Sequence, residues 1–223
     1  MLIAGFPAGA FQANCYVVAT GPGEPCLVVD PGQDAAAPLT ALLAEHRLTP
    51  SAVLLTHGHL DHIAAAAEVC RAAGIPALIA EADEHLLADP MSGLSDELRQ
   101  ALAGFPLDGL RPDQVELLQD RIELAGLWID VDRTPGHTPG SVVFRLAAEQ
   151  DAAEARPEIL FTGDTLFAGS VGRTDLPGGS WDELQQSLRS RLLTRPDDAV
   201  VLPGHGPRST IGAERAGNPF LAG

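Results

Sequence analysis

Thr56-His57-Gly58-His59-Leu60-Asp61-His62 follows directly on the apolar run Ala52–Leu55. It sets three imidazoles and one carboxylate within six residues. Imidazole nitrogen and carboxylate oxygen are the ligand set of zinc and of non-haem iron. Four such groups crowd a single tetrahedral ion. Two neighbouring ions suit them better, with His57 and His59 turned to one and Asp61 and His62 to the other. The alternative is a histidine-rich surface loop in which Asp61 merely caps the following helix. Recurrence of ligand-type residues in matching context downstream argues against it.

Four times a short apolar run ends in a loop bearing glycine or proline and then a histidine or aspartate. Ala52–Leu55 leads to His57, Trp128–Arg133 through Thr134-Pro135-Gly136 to His137, Ile159–Thr162 through Gly163 to Asp164, and Ala199–Leu202 through Pro203-Gly204 to His205. Asp30, in Val28-Val29-Asp30-Pro31-Gly32, is a fifth case. Ligands of open α/β sheets gather beyond the carboxyl ends of the strands, so strands lying side by side would bring these loops together. Of the other histidines, His46 ends a helix and suits its dipole. His85 has no assigned role.

The remaining pattern is α/β. Strands are expected near Leu2–Phe6, Asn14–Thr20, Pro25–Val29, Ala52–Leu55 and Ala77–Ala80. In the second half they are expected near Glu116–Leu118, Ile122–Leu124, Trp128–Arg133, Ser141–Leu146, Ile159–Thr162 and Ala199–Leu202. Helices are expected at Ala35–Arg47, Ile63–Ala73 and Trp181–Leu193, the last opened by Ser180 and Glu183 in capping-box spacing. Residues 81–112, broken by Pro90, Gly93, Gly104-Phe105-Pro106 and Pro112, are a candidate helical insertion or lid. Ala147–Pro157 reads as a charged hairpin loop. Strands in both halves with helices interspersed suggest two sheets covered by helices on their outer faces, in one domain spanning 1–223.

Composition narrows the function. The chain carries a net charge of −16, and all its basic residues are arginine. Such a surface repels polyphosphate and anionic lipid, so neither a nucleic acid nor a membrane is an expected partner. Without lysine, Schiff-base and P-loop chemistry are excluded. No run approaches the ~18 apolar residues of a membrane span. The start, Met1–Pro7, lacks the basic region of a signal peptide, and the three cysteines are widely spaced. A cytoplasmic protein with buried, reduced thiols is the expectation. Ala168-Gly169-Ser170-Val171-Gly172 echoes a nucleophile elbow, but the turn-like Arg173–Gly179 follows it where a helix is required.

The motif His-x-His-x-Asp-His, followed in order by His137, Asp164 and His205, resembles the metallo-β-lactamase superfamily over nearly the whole chain. Thr134-Pro135-Gly136-His137-Thr138-Pro139-Gly140-Ser141, Thr162-Gly163-Asp164-Thr165-Leu166-Phe167 and Gly172-Arg173-Thr174-Asp175 are similar to its glyoxalase II-type branch. Glu214-Arg215-x-x-Asn218-Pro219-Phe220-Leu221 is similar to the ending of small bacterial hydrolases of that branch. The resemblance implies a four-layer αββα sandwich with a binuclear site at one edge. It implies two divalent ions, zinc first and iron or manganese next: His57, His59 and His137 on the first, Asp61, His62 and His205 on the second. Asp164 would bridge them, and Asp30 would orient a ligand from behind. The branch's C-terminal helical domain has no counterpart in the eighteen residues after His205, and arginine replaces its lysine near Gly172-Arg173.

Two dications would share a water and lower its pKa towards ~7, giving a bridging hydroxide as nucleophile. Asp61 would both ligate and aim it. A thiolate leaves without acid assistance, so the expected substrate is a small thioester of the S-lactoylglutathione type, glutathione-linked or otherwise. Arg173 is a candidate for binding a substrate carboxylate, or a loop-internal partner of Asp175. Phe167 and Trp181 are candidate pocket walls. The rival enzyme is a persulfide dioxygenase with a single iron on His57, His137 and Asp164. A non-catalytic metal-binding protein is the rival outside enzymes. Nothing in the sequence speaks to the oligomeric state.

Overall fold

A computed structural model describes residues 1–102, 107, 109–149 and 155–221. Strand β1 (Leu2–Ala8), β2 (Ala13–Ala19), β3 (Pro25–Val29), β4 (Thr49–Leu54), β5 (Ala77–Ile79) and β6 (Val115–Leu117) form one sheet in chain order. Its first three strands are antiparallel neighbours, and β3 to β6 run parallel. The second sheet holds β7 (Arg121–Leu124), β8 (Leu127–Arg133), β9 (Val142–Leu146) and β10 (Ile159–Gly163). A two-stranded ribbon, β11 (Leu166–Phe167) and β12 (Ser170–Val171), intervenes before β13 (Val200–Pro203) and β14 (Ser209–Thr210) complete that sheet in the order β14-β13-β10-β9-β8-β7. Within it only β10 and β13 are parallel.

Alternation along each strand sets the layers, because successive side chains point to opposite faces. Leu27 and Val29 of β3, with Ala52 and Leu54 of β4, meet Ile129, Val131, Phe144 and Phe161 of the other sheet in a buried inner core. Val28 and Val53 face outward against α1 (Ala36–His46), α2 (Leu60–Ile63) and α3 (Ala66–Ala73), through Leu39, Ile63 and Val69. On the far side Val143, Leu160 and Val201 pack on α5 (Trp181–Ser187) and α6 (Ile211–Gly217), while a short α4 (Asp96–Ala101) lies in the segment between β5 and β6. The result is the expected αββα order of four layers.

Several elements differ from the sequence expectation. The helix expected from Ile63 is divided: α2 stops at Ile63, the Ala65 amide donates to Pro31 O at 3.0 Å, and α3 starts anew. That break lets α2 aim Asp61 and His62 away from the sheet while α3 packs on it. Trp181–Leu193 is also divided, with α5 passing into a π turn at Leu188–Leu192. Leu184, Leu188 and Leu192 recur every four residues and all face the sheet, which a widened turn permits better than 3.6-residue pitch. Ser180 accepts from the Glu183 amide as its spacing predicted. Ser170 lies in the β11–β12 ribbon rather than before a helix, as expected for a residue that is no nucleophile elbow.

Residues 81–112 hold two 3-10 segments, Glu81–Leu87 and Pro90–Gly93, and then α4; 103–106 and 108 lie outside the described residues. Of the loop read at Ala147–Pro157, the described ends pair as an antiparallel bridge between Glu149 and Arg156, and 150–154 lie outside the described residues. Cys15, Cys26 and Cys70 are buried free thiols, and burial pushes the last two up to about 11. No helix among the described residues is long and apolar enough to cross a membrane.

Candidate metal centre

Every candidate ligand lies just past a strand's carboxyl end. His57 and His59 follow β4 and Asp61 and His62 ride on α2, His137 follows β8, Asp164 follows β10 and His205 follows β13. These strands do not lie side by side in one sheet. β4 belongs to the first and the others to the second, so the loops converge across the shared edge of the sandwich. Backbone bonds lock that edge: the Val142 amide donates to Thr56 O at 2.8 Å, Asn14 to Gly204 O at 2.7 Å and Gly204 to Gly163 O at 2.8 Å.

The rings of His57, His59 and His137 form a corner. Their centroids are 4.6–4.9 Å apart and their planes 78–90° from one another. Nδ1 of His59 lies 2.8 Å from Nε2 of His137. Around a second point, Nε2 of His62 lies 3.3 Å from Nε2 of His205, and Asp61 Oδ2 is 3.6 and 3.2 Å from the same two nitrogens. Asp164 sits between the sets, with Oδ1 3.3 Å from His62 Nε2 and Oδ2 3.6 Å from His137 Nε2 and 3.5 Å from His205 Nε2. Tetrahedral ligands at ~2.1 Å from an ion stand about 3.4 Å apart, close to these separations.

The outer nitrogens explain why the inner ones are free. His137 Nδ1 donates to Arg173 O at 2.8 Å, and His205 Nδ1 to Phe11 O at 3.1 Å. His62 Nδ1 donates to Asp30 Oδ2 at 3.0 Å. Thr56 Oγ1 gives its proton to Asp30 at 2.6 Å and so accepts from His57 Nδ1 at 3.0 Å. With the outer nitrogens of these four rings engaged, their inner nitrogens are left to face the cluster, as those of metal-bound imidazoles do. Asp30 spends its oxygens on the Thr56 amide, the Thr56 hydroxyl and His62, so it supports the candidate ligands His57 and His62 from behind.

The protein alone does not satisfy this arrangement. His57 Nε2, His59 Nε2 and Asp164 Oδ1 are buried with no hydrogen-bond partner, a costly state for polar atoms. Cations at the two points would engage His57 Nε2 and Asp164 Oδ1, and the donor set suits zinc, iron or manganese. The residues fit a pair of divalent ions.

The electrostatics of the metal-free centre follow from crowding. Burial and the surrounding imidazoles push His57 well below 6.5 and His59 down to about 3. Burial also opposes a charge on His62, but the carboxylates of Asp164 and Asp61 outweigh it and raise that imidazole well above 6.5. Asp164 stays far below the ordinary carboxylate range because the His62 charge overcomes burial.

Asp83 was not legible in the sequence and proves central to the frame. Fully buried, it accepts from the Gly58 amide at 2.9 Å, the Thr138 hydroxyl at 2.7 Å and the Gly140 amide at 2.7 Å. It thus ties the His57–His59 loop to the His137 loop. His85, two residues on, is exposed and takes no part in the cluster.

Above the cluster lies a cavity of about 360 Å³. His59, Asp61, His137, Asp164 and His205 form its floor, and Leu94, Leu98 and Leu102 wall it with Phe11 and Phe167. Arg173 also lines it, with its guanidinium bound to both oxygens of Asp175 at 2.7 Å. Trp181 is not a wall, contrary to expectation: it lies on the surface edge-on to Phe220, 6.5 Å between centroids, because it opens α5 on the sheet's far side.

Known proteins are similar to this chain over its length. A family profile, Metallo-beta-lactamase superfamily, matches residues 8–205. The protein Rv2581c of Mycobacterium tuberculosis is 50% identical over 226 residues, covering 100% of this chain and 99% of its own. Hydroxyacylglutathione hydrolase GloC of Haemophilus influenzae is 34% identical over 217 residues, covering 96% of this chain and 95% of its own. The crystal structure of TTHA1623 in a di-iron-bound form superposes with a TM-score of 0.76 at 36% identity, covering 98% of this chain and 100% of that one.

Proposed function

This chain belongs to the metallo-β-lactamase superfamily, and from that premise we propose that it is a hydrolase that uses two divalent ions to cleave a small thioester. The observation that carries the reading is the pair of side-chain clusters on either side of Asp164, with His57 Nε2 and Asp164 Oδ1 buried and without a hydrogen-bond partner. His57, His59 and His137 would hold the first ion, Asp61, His62 and His205 the second, with Asp164 between them. When bound, such ions activate water near neutral pH and polarise a carbonyl. Asp61 accepts a hydrogen bond from the attacking water and so fixes its line of approach. Asp30 and the Arg173 carbonyl hold His62 and His137 in register.

The choice of bond rests on what the cavity lacks. Its polar lining residues are His59, Asp61, His137, Asp164, His205 and Arg173. All but Arg173 are ligands in this reading, and a guanidinium does not give up its proton. Among the described residues no acid stands ready to protonate an amide nitrogen. A thiolate, with a thiol pKa near ~8.5, needs none. The name of the GloC relative, a hydroxyacylglutathione hydrolase, points to the same reaction class.

The test joins metal analysis of the purified protein to thiol release from a panel of thioesters, S-lactoylglutathione included, and to oxygen uptake with glutathione persulfide. About two equivalents of zinc, iron or manganese with thiol release is the expected result. One iron with oxygen consumption would instead make the protein a persulfide dioxygenase. Bound metal with no turnover would leave a non-catalytic metal protein. Asp61→Ala should lower turnover by about 100-fold or more, as loss of a ligand and of a water-orienting group, and should retain only the first equivalent of metal. Turnover at the parent level in that variant would refute the role given to Asp61.

A further inference from the structure

The floor of the site is polar, while the approaches to it are apolar or acidic. The cavity over the ligands adjoins a second of about 850 Å³, the two sharing Phe11, Leu60, Asp61 and Leu102. One trough therefore runs from the ligand cluster across the start of α2 to a rim that carries Asp34 and Glu68. Both rim acids are exposed. The apolar lining outweighs the polar one throughout, and leucines from the segment before β6 supply one wall.

Charge is distributed just as unevenly. Among the described lining residues Arg173 is the one cation. Its two donors hold the Asp175 carboxylate, which that hydrogen bonding keeps ionised down to about 2. The arginine is thus engaged within its own loop. Around the trough the whole chain carries −16. Glutathione brings two carboxylates and one ammonium; lying along the trough, away from the two ions of the loaded centre, its net negative charge would meet Asp34 and Glu68 and no unpaired cationic side chain among the described lining residues.

We propose that the thioester taken by this site carries a thiol half without net negative charge, largely apolar where it touches the trough, and that glutathione thioesters are the disfavoured class. This rests on the thioester reading above and narrows it. The reaction itself is unchanged: the water oxygen bonds the acyl carbon, the carbon–sulfur bond breaks, and the thiolate leaves with the electron pair and takes up a proton from solvent. The thiol half lies along Leu60 and Leu102 towards Asp34 and Glu68, leaving the acyl carbon over the ligand cluster.

The experiment holds the acyl group constant and varies only the carrier. Butyryl thioesters of glutathione, N-acetylcysteamine and thiocholine are anionic, neutral and cationic in turn. With the metal-loaded protein, kcat/KM for the last two should exceed that for butyrylglutathione by about tenfold or more, mostly through KM, and the gap should narrow as salt is raised. The non-hydrolysable S-methyl ethers of the same carriers should bind in the same order by calorimetry. The double variant Asp34→Asn, Glu68→Gln should lower the ratio of thiocholine to glutathione kcat/KM several-fold. Preference for the glutathione ester, or a ratio that the double variant leaves unmoved, overturns the inference while thioester hydrolysis stands. Failure to cleave any of the three esters overturns the hydrolase reading itself, and this inference with it.

Discussion

Two amides and a hydroxyl from separate loops converge on the buried carboxylate of Asp83. Gly58 stands between His57 and His59, and Thr138 and Gly140 follow His137, so one side chain sets the spacing of the whole first ligand set without touching it. Replacing it by alanine strands three buried donors. Each unsatisfied group costs ~1–3 kcal/mol, partly recovered by relaxation and entering water, so a net loss of about 3 kcal/mol is expected. At roughly 2–4 °C per kcal/mol for a domain of this size, the midpoint should fall by about 6–12 °C. Scanning calorimetry with metal counting checks both parts: Asp83→Ala should unfold early and bind less metal in the folded form. A variant with parent midpoint and parent metal content would show that the loops hold their spacing without it. Asp83→Asn keeps an acceptor but brings two donors of its own, and should fall between the two.

At the scale of elements, the centre is made where strands stop. Gly204, just past β13, is packed so that a Cβ would strike Asp164 Oδ1 and come within 2.8 Å of His62 Cε1. Gly204→Ala should therefore push Asp164 from its shared position and cost at least one equivalent of metal and about 100-fold in turnover. The fold should lose only the ~1–3 kcal/mol of a locally overpacked site. Full metal content in that variant would mean Asp164 is not shared. The strand-to-loop junctions that carry the clustered candidate ligands were legible in the sequence because apolar runs, glycines and ligand-type side chains mark them together. What acts through backbone was not: the carbonyls of Phe11 and Arg173 anchor His205 and His137, and every residue has a carbonyl. Asp83 was hidden for a different reason. It stands in Glu81-Ala82-Asp83-Glu84 as one acid among three, and only contacts with loops 25 and 55 residues away bury it. The wall formed by Leu94, Leu98 and Leu102 does carry a four-residue period, but Pro90 and Gly93 make that stretch read as irregular. Strands of two residues, such as β11, β12 and β14, are too short for any alternation to show.

For the molecule as a whole, each proposed ion would be held by side chains from both sheets: His57 and His59 against His137, and Asp61 and His62 against His205. Metal loading is then a tie across the edge of the sandwich, and it stabilises the fold by mass action. Protons compete for the same tie, and the direction follows from His62. Burial works against its charge, yet Asp164 and Asp61 raise it well above 6.5 in the stripped protein, so near neutral pH it holds a proton that a metal must displace. His57 and His59 are pushed the other way, His59 to about 3, and Asp61 and Asp164 are lowered. None of those four competes in the same range. A group with a raised folded-state pKa stabilises the stripped protein fully below ~6.5 and loses that contribution as pH rises through its folded value. Lowering the pH from about 8 to about 6.5 therefore favours the stripped fold through His62 while weakening its affinity for metal. Burial works against a charge on His205 too, but its hydrogen bond to Asp61 and the Asp164 charge raise it as well, so dissociation constants for the second equivalent should rise at least several-fold as the pH falls across that window. The gap in unfolding midpoint between loaded and stripped protein should shrink in parallel. Competition dialysis and scanning calorimetry read these two quantities separately. A dissociation constant that does not move with pH would mean that no proton leaves on loading, and would take His62 out of the second ligand set.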